Sequence, residues 1–357
     1  PLAPTATIVV DRTDDPAVTT SGVGAAACTA GANDCSLRGA VLFANANPGT
    51  VVTLATTTYV LTTNGANGCV NESLATGNTI GDLEVNATTT FNGNGAANTI
   101  IRQAAATNDR VLCMDVNLTP GFTFSFSGLT ITGGRDVNSN VGGGGFIGGA
   151  RTTTLNLTNV TFANNQTTGP NISGGGGVAV TGGDMNVTSC TFGAANLPGA
   201  NRNDLTLGNA SNSNSAGGLS YSPGDPAGVG GATGTLTVTG STFTHNTSSS
   251  GSAGGGGMDV FNFNTSTGTA NISTSSFTSN QATGTASGGG INNESLTNVN
   301  ISTTSFTSNS AGNRGGGVYV GGGAVLLDGT SPSITFTGNT AIKEGKLRIT
   351  KELRETV

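Results

Sequence analysis

The chain of 357 residues has no tryptophan, a single histidine and only 9% charged residues. Aromatic residues make up 5% of it, too few to fill a large globular core, yet 34% hydrophobic content is not typical of disorder. The net charge of −6 excludes nucleic acid as a partner, since nothing would neutralise the phosphates. No apolar run approaches the roughly 20 residues that a transmembrane helix needs. We therefore expect a secreted chain whose strands stack small residues in register.

The five cysteines form neither a CxxC motif nor a cluster with histidine, so the sequence predicts no metal site and no cofactor. Cys28 and Cys35 lie close together in a segment rich in Ala, Gly and Asn, and we predict a disulfide between them. Cys69 with Cys113 is the second predicted pair. Cys190 is expected to be a small core residue in a strand. Disulfides indicate an oxidising compartment.

One template recurs seven times along the chain. Apolar or small residues stand at offsets −7, −5, −2 and 0 from a phenylalanine, as in the segment LNLTNVTF that ends at Phe162. Within each pair, −7 with −5 and −2 with 0, the spacing of two is that of alternating side chains in a strand. The step of three residues between the pairs fits a one-residue corner that keeps both pairs facing inward. An early copy ends at Ile131, and the last copy keeps only Ile334 and Phe336. The phenylalanines of this core ladder are Phe162, Phe192, Phe243, Phe277, Phe306 and Phe336.

An asparagine and a glycine block follow most of these phenylalanines. The asparagine is expected at a corner, where it tolerates the left-handed conformation and bonds to the asparagines above and below. The glycines permit positive φ and close backbone approach, and an inward apolar segment comes after them. The asparagine ladder comprises Asn165, Asn246, Asn280, Asn309 and Asn339.

A unit of about 29 to 34 residues cannot bury its apolar face alone, so the units must stack. Stacking short strands in parallel predicts an all-β fold, a β-solenoid in which each coil rises about 4.8 Å. Equivalent inward residues would then lie directly over one another.

These motifs resemble two groups of bacterial exterior proteins. FxxN followed by GGG and an apolar residue is similar to the repeat of the polymorphic outer membrane proteins. CSLRGAVLFANANPGT (35–50), IGDLEV (80–85), DRVLCMDV (109–116) and SGLTITGG (127–134) resemble secreted proteins with a CSLREA-type motif. The resemblance extends to about residue 342 and implies a right-handed parallel β-helix, often adhesive or structural. Gly39 stands where the motif has an acidic residue, and the membrane barrel of the polymorphic proteins has no counterpart here.

The chain divides into three parts. Residues 1–49 are expected to hold a strand and a short capping helix, residues 50–342 the parallel β-helix, and residues 343–357 a charged amphipathic strand. The chain starts at Pro1, which fits either a removed signal peptide or a fragment.

The predicted helix covers the N-terminal end of the stack. Ser36 is expected to cap it, and the motif Asn-Pro-Gly at residues 47–49 ends it. Its apolar stripe consists of Leu37, Ala40, Val41 and Ala44.

The predicted C-terminal strand has an apolar face that must be buried somewhere. It either caps its own last coil, begins a truncated domain, or adds to a neighbouring subunit and joins molecules head to tail into a fibre. The apolar residues of this possible intersubunit strand are Leu347, Ile349, Leu353 and Val357.

Few residues point to catalysis. Asp82 and Glu84 are two apart, but we expect a solvated strand face there, and His245 is expected at the surface. Other acids fall at differing offsets in the repeats, namely Asp184, Asp259 and Asp328. We predict no catalytic residue and no enzyme; the alternative is a polysaccharide lyase or glycoside hydrolase on a β-helix scaffold.

The longest interval between phenylalanines holds the insertion 193–215, which is either a binding loop or a tolerated surface excursion. Asp204 with Asp225 is a candidate cation pair near it. The resemblance, together with the lack of catalytic motifs, implies an extracellular, non-catalytic structural or adhesive surface protein. Its expected partners are further copies of itself, other surface proteins or glycans.

Overall fold

A computed structural model of the chain describes residues 6–63, 81–105, 107–114, 121–136, 141–148, 153–168, 173–193, 202–203, 215–224, 234–249, 254–261, 267–328 and 333–343. Within these residues the chain is nearly all β, with a single α-helix, α1, at Leu37–Ala46. The strands form long parallel sheets to which successive repeats contribute in turn, an arrangement consistent with a β-solenoid.

The first sheet is the largest and takes two strands from most repeats. Its strands are Thr7–Val10, Thr50–Leu54, Thr58–Leu61, Thr89–Asn92, Ile100–Gln103, Thr123–Thr132, Thr154–Ala163, Asp184–Thr188, Thr191–Phe192, Thr235–Thr239, Thr242–Thr244, Thr269–Ser273, Ser276–Thr278, Asn298–Ser302, Ser305–Thr307, Val325–Asp328 and Thr335–Thr337.

Three smaller sheets complete the stack. The second sheet contains Leu83–Glu84, Leu112–Cys113, Phe146–Gly148, Val178–Thr181, Leu219–Ser222, Met258–Val260, Ile291–Asn293 and Val318–Val320. The third contains Arg135–Asp136, Gln166–Thr167, Arg202–Asn203, Thr247–Ser248, Gln281–Ala282, Ser310–Ala311 and Thr340–Ala341. The fourth contains Val141–Gly143, Ser173–Gly175 and Ser215–Ala216.

Neighbouring strands are in register by repeat. Phe243 pairs with Phe277 in the first sheet, and Met258 pairs with Ile291 in the second. Because side chains alternate along a strand, these inward residues build one continuous core along the stack. The N-terminal strand takes part as well, since Thr7–Val10 pairs with Thr50–Leu54.

The last repeat keeps more of the template than the sequence suggested. Val325 pairs with Val299 and Leu327 pairs with Ile301 in the first sheet. The prediction that this copy keeps only Ile334 and Phe336 is therefore wrong. The first apolar pair lies farther from the phenylalanine than in other repeats, which hid it from a comparison at fixed offsets.

The corners of the repeats use left-handed residues, but not the asparagines of the ladder. The residue just before the ladder asparagine has positive φ, as His245, Ser279 and Ser308 do. The prediction that the ladder asparagines adopt this conformation is wrong. The neighbouring left-handed residue turns the chain, which leaves the asparagine side chain to point inward.

Candidate functional site

The six phenylalanines of the predicted core ladder lie in one stack. Neighbouring ring centroids are 4.5 to 5.3 Å apart, and the ring planes are nearly parallel. Five of the rings are completely buried, whereas Phe336 at the C-terminal end is 41% exposed. The stack therefore runs to the last described repeat and ends there partly uncovered.

The asparagines form a buried hydrogen-bonded row beside this stack. Asn246, Asn280 and Asn309 each donate from Nδ2 to the Oδ1 of the next asparagine at 2.9 Å, and Asn339 accepts the last bond. Each amide also bonds to a phenylalanine carbonyl of the preceding repeat, as Asn280 does to Phe243 at 2.9 Å. These hydrogen bonds offset the cost of burying the polar amide groups.

Asn165 occupies the equivalent corner of an earlier repeat. It donates to the carbonyl of Ile131 at 3.0 Å and accepts from the N–H of Gly134 at 3.0 Å. The described asparagine-to-asparagine bonds run from Asn246 to Asn339.

The glycine blocks pack directly on both ladders. A Cβ at Gly257 would lie 3.0 Å from Cδ1 of Phe277 and 3.2 Å from Cγ of Asn280, and a Cβ at Gly290 would lie 3.0 Å from Cδ1 of Phe306. Only glycine fits between the ring and the strand that follows. Phenylalanine, asparagine and glycine therefore recur together because they fill one corner of each repeat.

Helix α1 begins and packs as its sequence predicts. The Ser36 side chain accepts from the N–H of Gly39 at 3.0 Å, and the residues of the apolar stripe are buried. The predicted disulfide between Cys28 and Cys35 is confirmed. A Cβ at Gly39 would lie 2.0 Å from the carbonyl oxygen of Ala25, so the glycine that departs from the CSLREA-type motif is required by packing here.

Arg38 ties helix α1 to the rest of the N-terminal end, although its charge is completely buried. Its Nε donates to Asp15 at 2.7 Å, and Nη2 donates to Thr63 Oγ1 at 2.8 Å. The carbonyls of Gly81 and Asp82 accept from the two Nη atoms at 2.7 and 3.1 Å. The role of Arg38 could not be predicted from local sequence patterns because its partners are far away along the chain.

A second buried arginine lies close by. Arg110 Nη2 is 3.1 Å from Asp136 Oδ2, and its Nε is 3.7 Å from Asp82 Oδ2. Burial alone would lower the pKa of Arg110, but the charges of Asp136, Asp82 and Asp109 outweigh it and raise that pKa. Asp82 and Glu84 are both buried, so the prediction of a solvated strand face is wrong. Asp82 faces the buried Arg110 instead.

The C-terminal end of the stack is open within the described residues. The strands Val318–Val320, Val325–Asp328, Thr335–Thr337 and Thr340–Ala341 each pair with one neighbour only. Apolar side chains are exposed around them, with Ile342 at 80%. Unpaired edges beside apolar surface are the usual template for strand addition.

The remaining candidates have ordinary surroundings. Cys190 is buried and free, and burial raises the pKa of its thiol to about 11. His245 is exposed, with Nδ1 2.7 Å from Thr244 Oγ1. Cys113 is disulfide-bonded, while its predicted partner Cys69 lies outside the described residues.

Several predicted features lie wholly or mostly outside the described residues. They are the apolar residues Leu347, Ile349, Leu353 and Val357, the pair Asp204 and Asp225, and most of the insertion 193–215.

A polar row lies on the outer side of the second sheet. Ser220, Asp259 and Asn292 occupy the same register position in three successive repeats, and all three are completely buried. Asn292 Nδ2 donates to Asp259 Oδ1 at 2.7 Å. The pKa of Asp259 is raised to about 8, mainly by burial, with the Asn292 hydrogen bond acting to lower it and the charge of Glu294 acting to raise it.

Comparisons with protein-family models, with curated proteins and with solved structures find no match to this chain. In the part that the structure describes, no helix is long and apolar enough to cross a membrane. The same residues contain no group of three or more His, Cys, Asp or Glu side chains that could hold a metal ion.

Proposed function

We propose that this protein is a right-handed parallel β-helix of the bacterial cell exterior that serves as a structural or adhesive surface element. The parallel in-register sheets support the β-helix, and the resemblance of the CSLRGA and FxxN–GGG motifs supports its hand and setting. The Cys28–Cys35 disulfide is compatible with an oxidising compartment outside the cell. Its partners would be further copies, other surface proteins or glycans.

The proposed assembly is head to tail. The observation that carries it is the C-terminal end of the described stack, where Phe336 and Ile342 are exposed beside strands that pair with one described neighbour only. At the other end, Thr7–Val10 also pairs with a single described strand. Strand addition would bring the predicted strand 343–357 of one molecule to the edge strand Thr7–Val10 of the next molecule.

Deletion of residues 343–357 tests the assembly. The shortened protein is expected to lose oligomers and filaments in sedimentation and negative-stain images, while its far-ultraviolet circular dichroism stays that of the full chain. Unchanged assembly would overturn the intermolecular role of this segment.

A matched pair of substitutions tests the acceptor edge. Val9 is 55% exposed in the edge strand and Val23 is 64% exposed in a turn. Lysine on an edge strand blocks strand addition. Val9→Lys should therefore abolish filaments, and Val23→Lys should leave them unchanged. Equal behaviour of the two variants would exclude Thr7–Val10 as the acceptor.

A carbohydrate-cleaving enzyme is the second candidate, and one observation favours it. Asp259 and Glu294 are neighbouring acids with raised pKa values, as a general acid requires. Asp259 is completely buried, however, so its carboxyl group does not reach a glycosidic oxygen. We propose that the chain is not an enzyme. A screen on polysaccharides should show no cleavage, and product formation that is lost in Asp259→Asn would overturn this proposal.

A further inference from the structure

The polar row of the second sheet combines burial with an outward position. The neighbours of Ser220 and Asp259 along their strands, such as Leu219 and Met258, belong to the apolar core. Since side chains alternate along a strand, Ser220, Asp259 and Asn292 lie on the opposite side of the sheet. All three nevertheless have no exposed surface.

Several oxygens of this row have no hydrogen-bond partner among the residues that the structure describes. They are Ser220 Oγ, Asp259 Oδ2 and Asn292 Oδ1, and Thr181 Oγ1 on the adjoining strand is in the same situation. A buried polar atom without a partner is costly, and native proteins keep few of them. In the asparagine row at the phenylalanine corner, by contrast, every amide from Asn246 to Asn309 is bonded on both sides.

An ionised Asp259 would also lack a compensating charge among the described residues. Asp15 and Asp136 are buried too, but each pairs with a buried arginine. Asp259 has no ion pair with Lys, Arg or His among the residues that the structure describes. The exposed Glu294, just after the strand of Asn292, adds a second negative charge close to it. A cation is the group that would satisfy both the oxygens and the charge.

We propose that Ser220, Asp259 and Asn292 form part of a binding site for a hard divalent cation, Ca²⁺. The available ligands are a carboxylate, an amide oxygen and a hydroxyl, which are the oxygens that Ca²⁺ prefers. Equivalent residues on neighbouring strands lie about 4.8 Å apart, so side chains of one register row are close enough to share one ion. Ca²⁺ accepts irregular arrangements of oxygen ligands, whereas Mg²⁺ demands a near-ideal octahedron. The site is independent of the proposed assembly.

Calorimetric titration of the chelator-treated full-length protein with CaCl₂ tests the proposal. The wild-type protein should bind one Ca²⁺ at this site. Asp259→Asn keeps the side-chain shape and should weaken binding at least tenfold, and Ser220→Ala should weaken it several-fold. Asp184→Asn, an exposed acid on the outer side of the first sheet, is the matched control and should bind like wild type.

Terbium luminescence gives a second readout that does not depend on binding heat. Tyr319 follows Asn292 at the same register position, and Tyr221 follows Ser220 in its strand, so both tyrosines lie near the row. Bound Tb³⁺ should show tyrosine-sensitised emission that Ca²⁺ displaces more effectively than Mg²⁺. A wild-type protein without Ca²⁺ binding in both assays, Asp259→Asn binding as tightly as wild type, or preference for Mg²⁺ would overturn the assignment.

Discussion

The two ends of the described stack differ in how far the apolar core is covered. At the N-terminal end, helix α1 covers the core, and Arg38 bonds it to three separate segments. At the C-terminal end, the final described repeat leaves Phe336 and Ile342 exposed. The repeats in between need no such cover, because each is covered by the repeats on both sides. Burial is thus a property of the stack and not of the single repeat, and only its ends require special residues.

The largest expected effect is the loss of stability on replacing the buried Arg38 of the N-terminal cover, compared with the loss on replacing the exposed Arg12. Arg38→Met leaves Asp15 buried without its charge partner, and should lower the free energy of unfolding by about 3 to 5 kcal/mol. Arg12→Met removes an exposed pair with Asp14 and should cost less than about 1 kcal/mol. Urea unfolding of both variants measures the difference. Similar losses would mean that Arg38 does not hold the cover in place.

A second pair of variants compares the middle of the phenylalanine stack with its end. Phe243→Ala creates a cavity between two rings and should cost about 4 kcal/mol. Phe336→Ala removes a ring that is already 41% exposed and should cost about 2 kcal/mol less. Thermal and urea unfolding give both values. If Phe336→Ala is equally costly, another part of the chain covers this end.

The disulfide of the N-terminal cover should have a smaller effect. Replacing Cys28 and Cys35 together by serine removes a crosslink over a short loop, which should cost about 2 kcal/mol. Unfolding of this double variant, compared with the wild type under non-reducing conditions, measures the loss. An unchanged stability would show that hydrogen bonds alone fix this segment.

The smallest effect is expected at the open end itself. Ile342 is 80% exposed, so Ile342→Thr should change the stability of the monomer by less than about 0.5 kcal/mol. If the end is an interface, the same change should weaken self-association measured by sedimentation. A large loss of monomer stability would instead indicate that Ile342 is covered by its own chain.

The repeated corner could be predicted because its residues are close in sequence and return at nearly constant spacing. Phe277 and Asn280 are three residues apart, and the glycines that receive them follow in the same repeat order. The sequence did not show why glycine is needed there. The structure gives the reason, because the ring of Phe277 leaves no room for a side chain at Gly257.

The N-terminal charge network could not be predicted from local patterns. Arg38 meets Asp15 and Gly81, and Arg110 meets Asp136, across long separations in the chain. Charged residues make up only 9% of the chain, and this rarity was the one feature of the sequence that could have drawn attention to these arginines. For Asp82, two acids at strand spacing indicated a solvated face, but helix α1 and Arg110 bury that strand.

The corner of phenylalanine, asparagine and glycine also has a consequence for how such a chain can change in length. From the repeat of Phe243 onward, each described repeat meets the next through this corner, with the ring on a ring and the amide on an amide. Gaining or losing one whole repeat would alter the reach of the molecule while its cross-section stayed constant. Extra residues are accommodated between paired strands, as the long interval after Phe192 illustrates: Phe192 still pairs with Phe243, and Arg202 still pairs with Thr247.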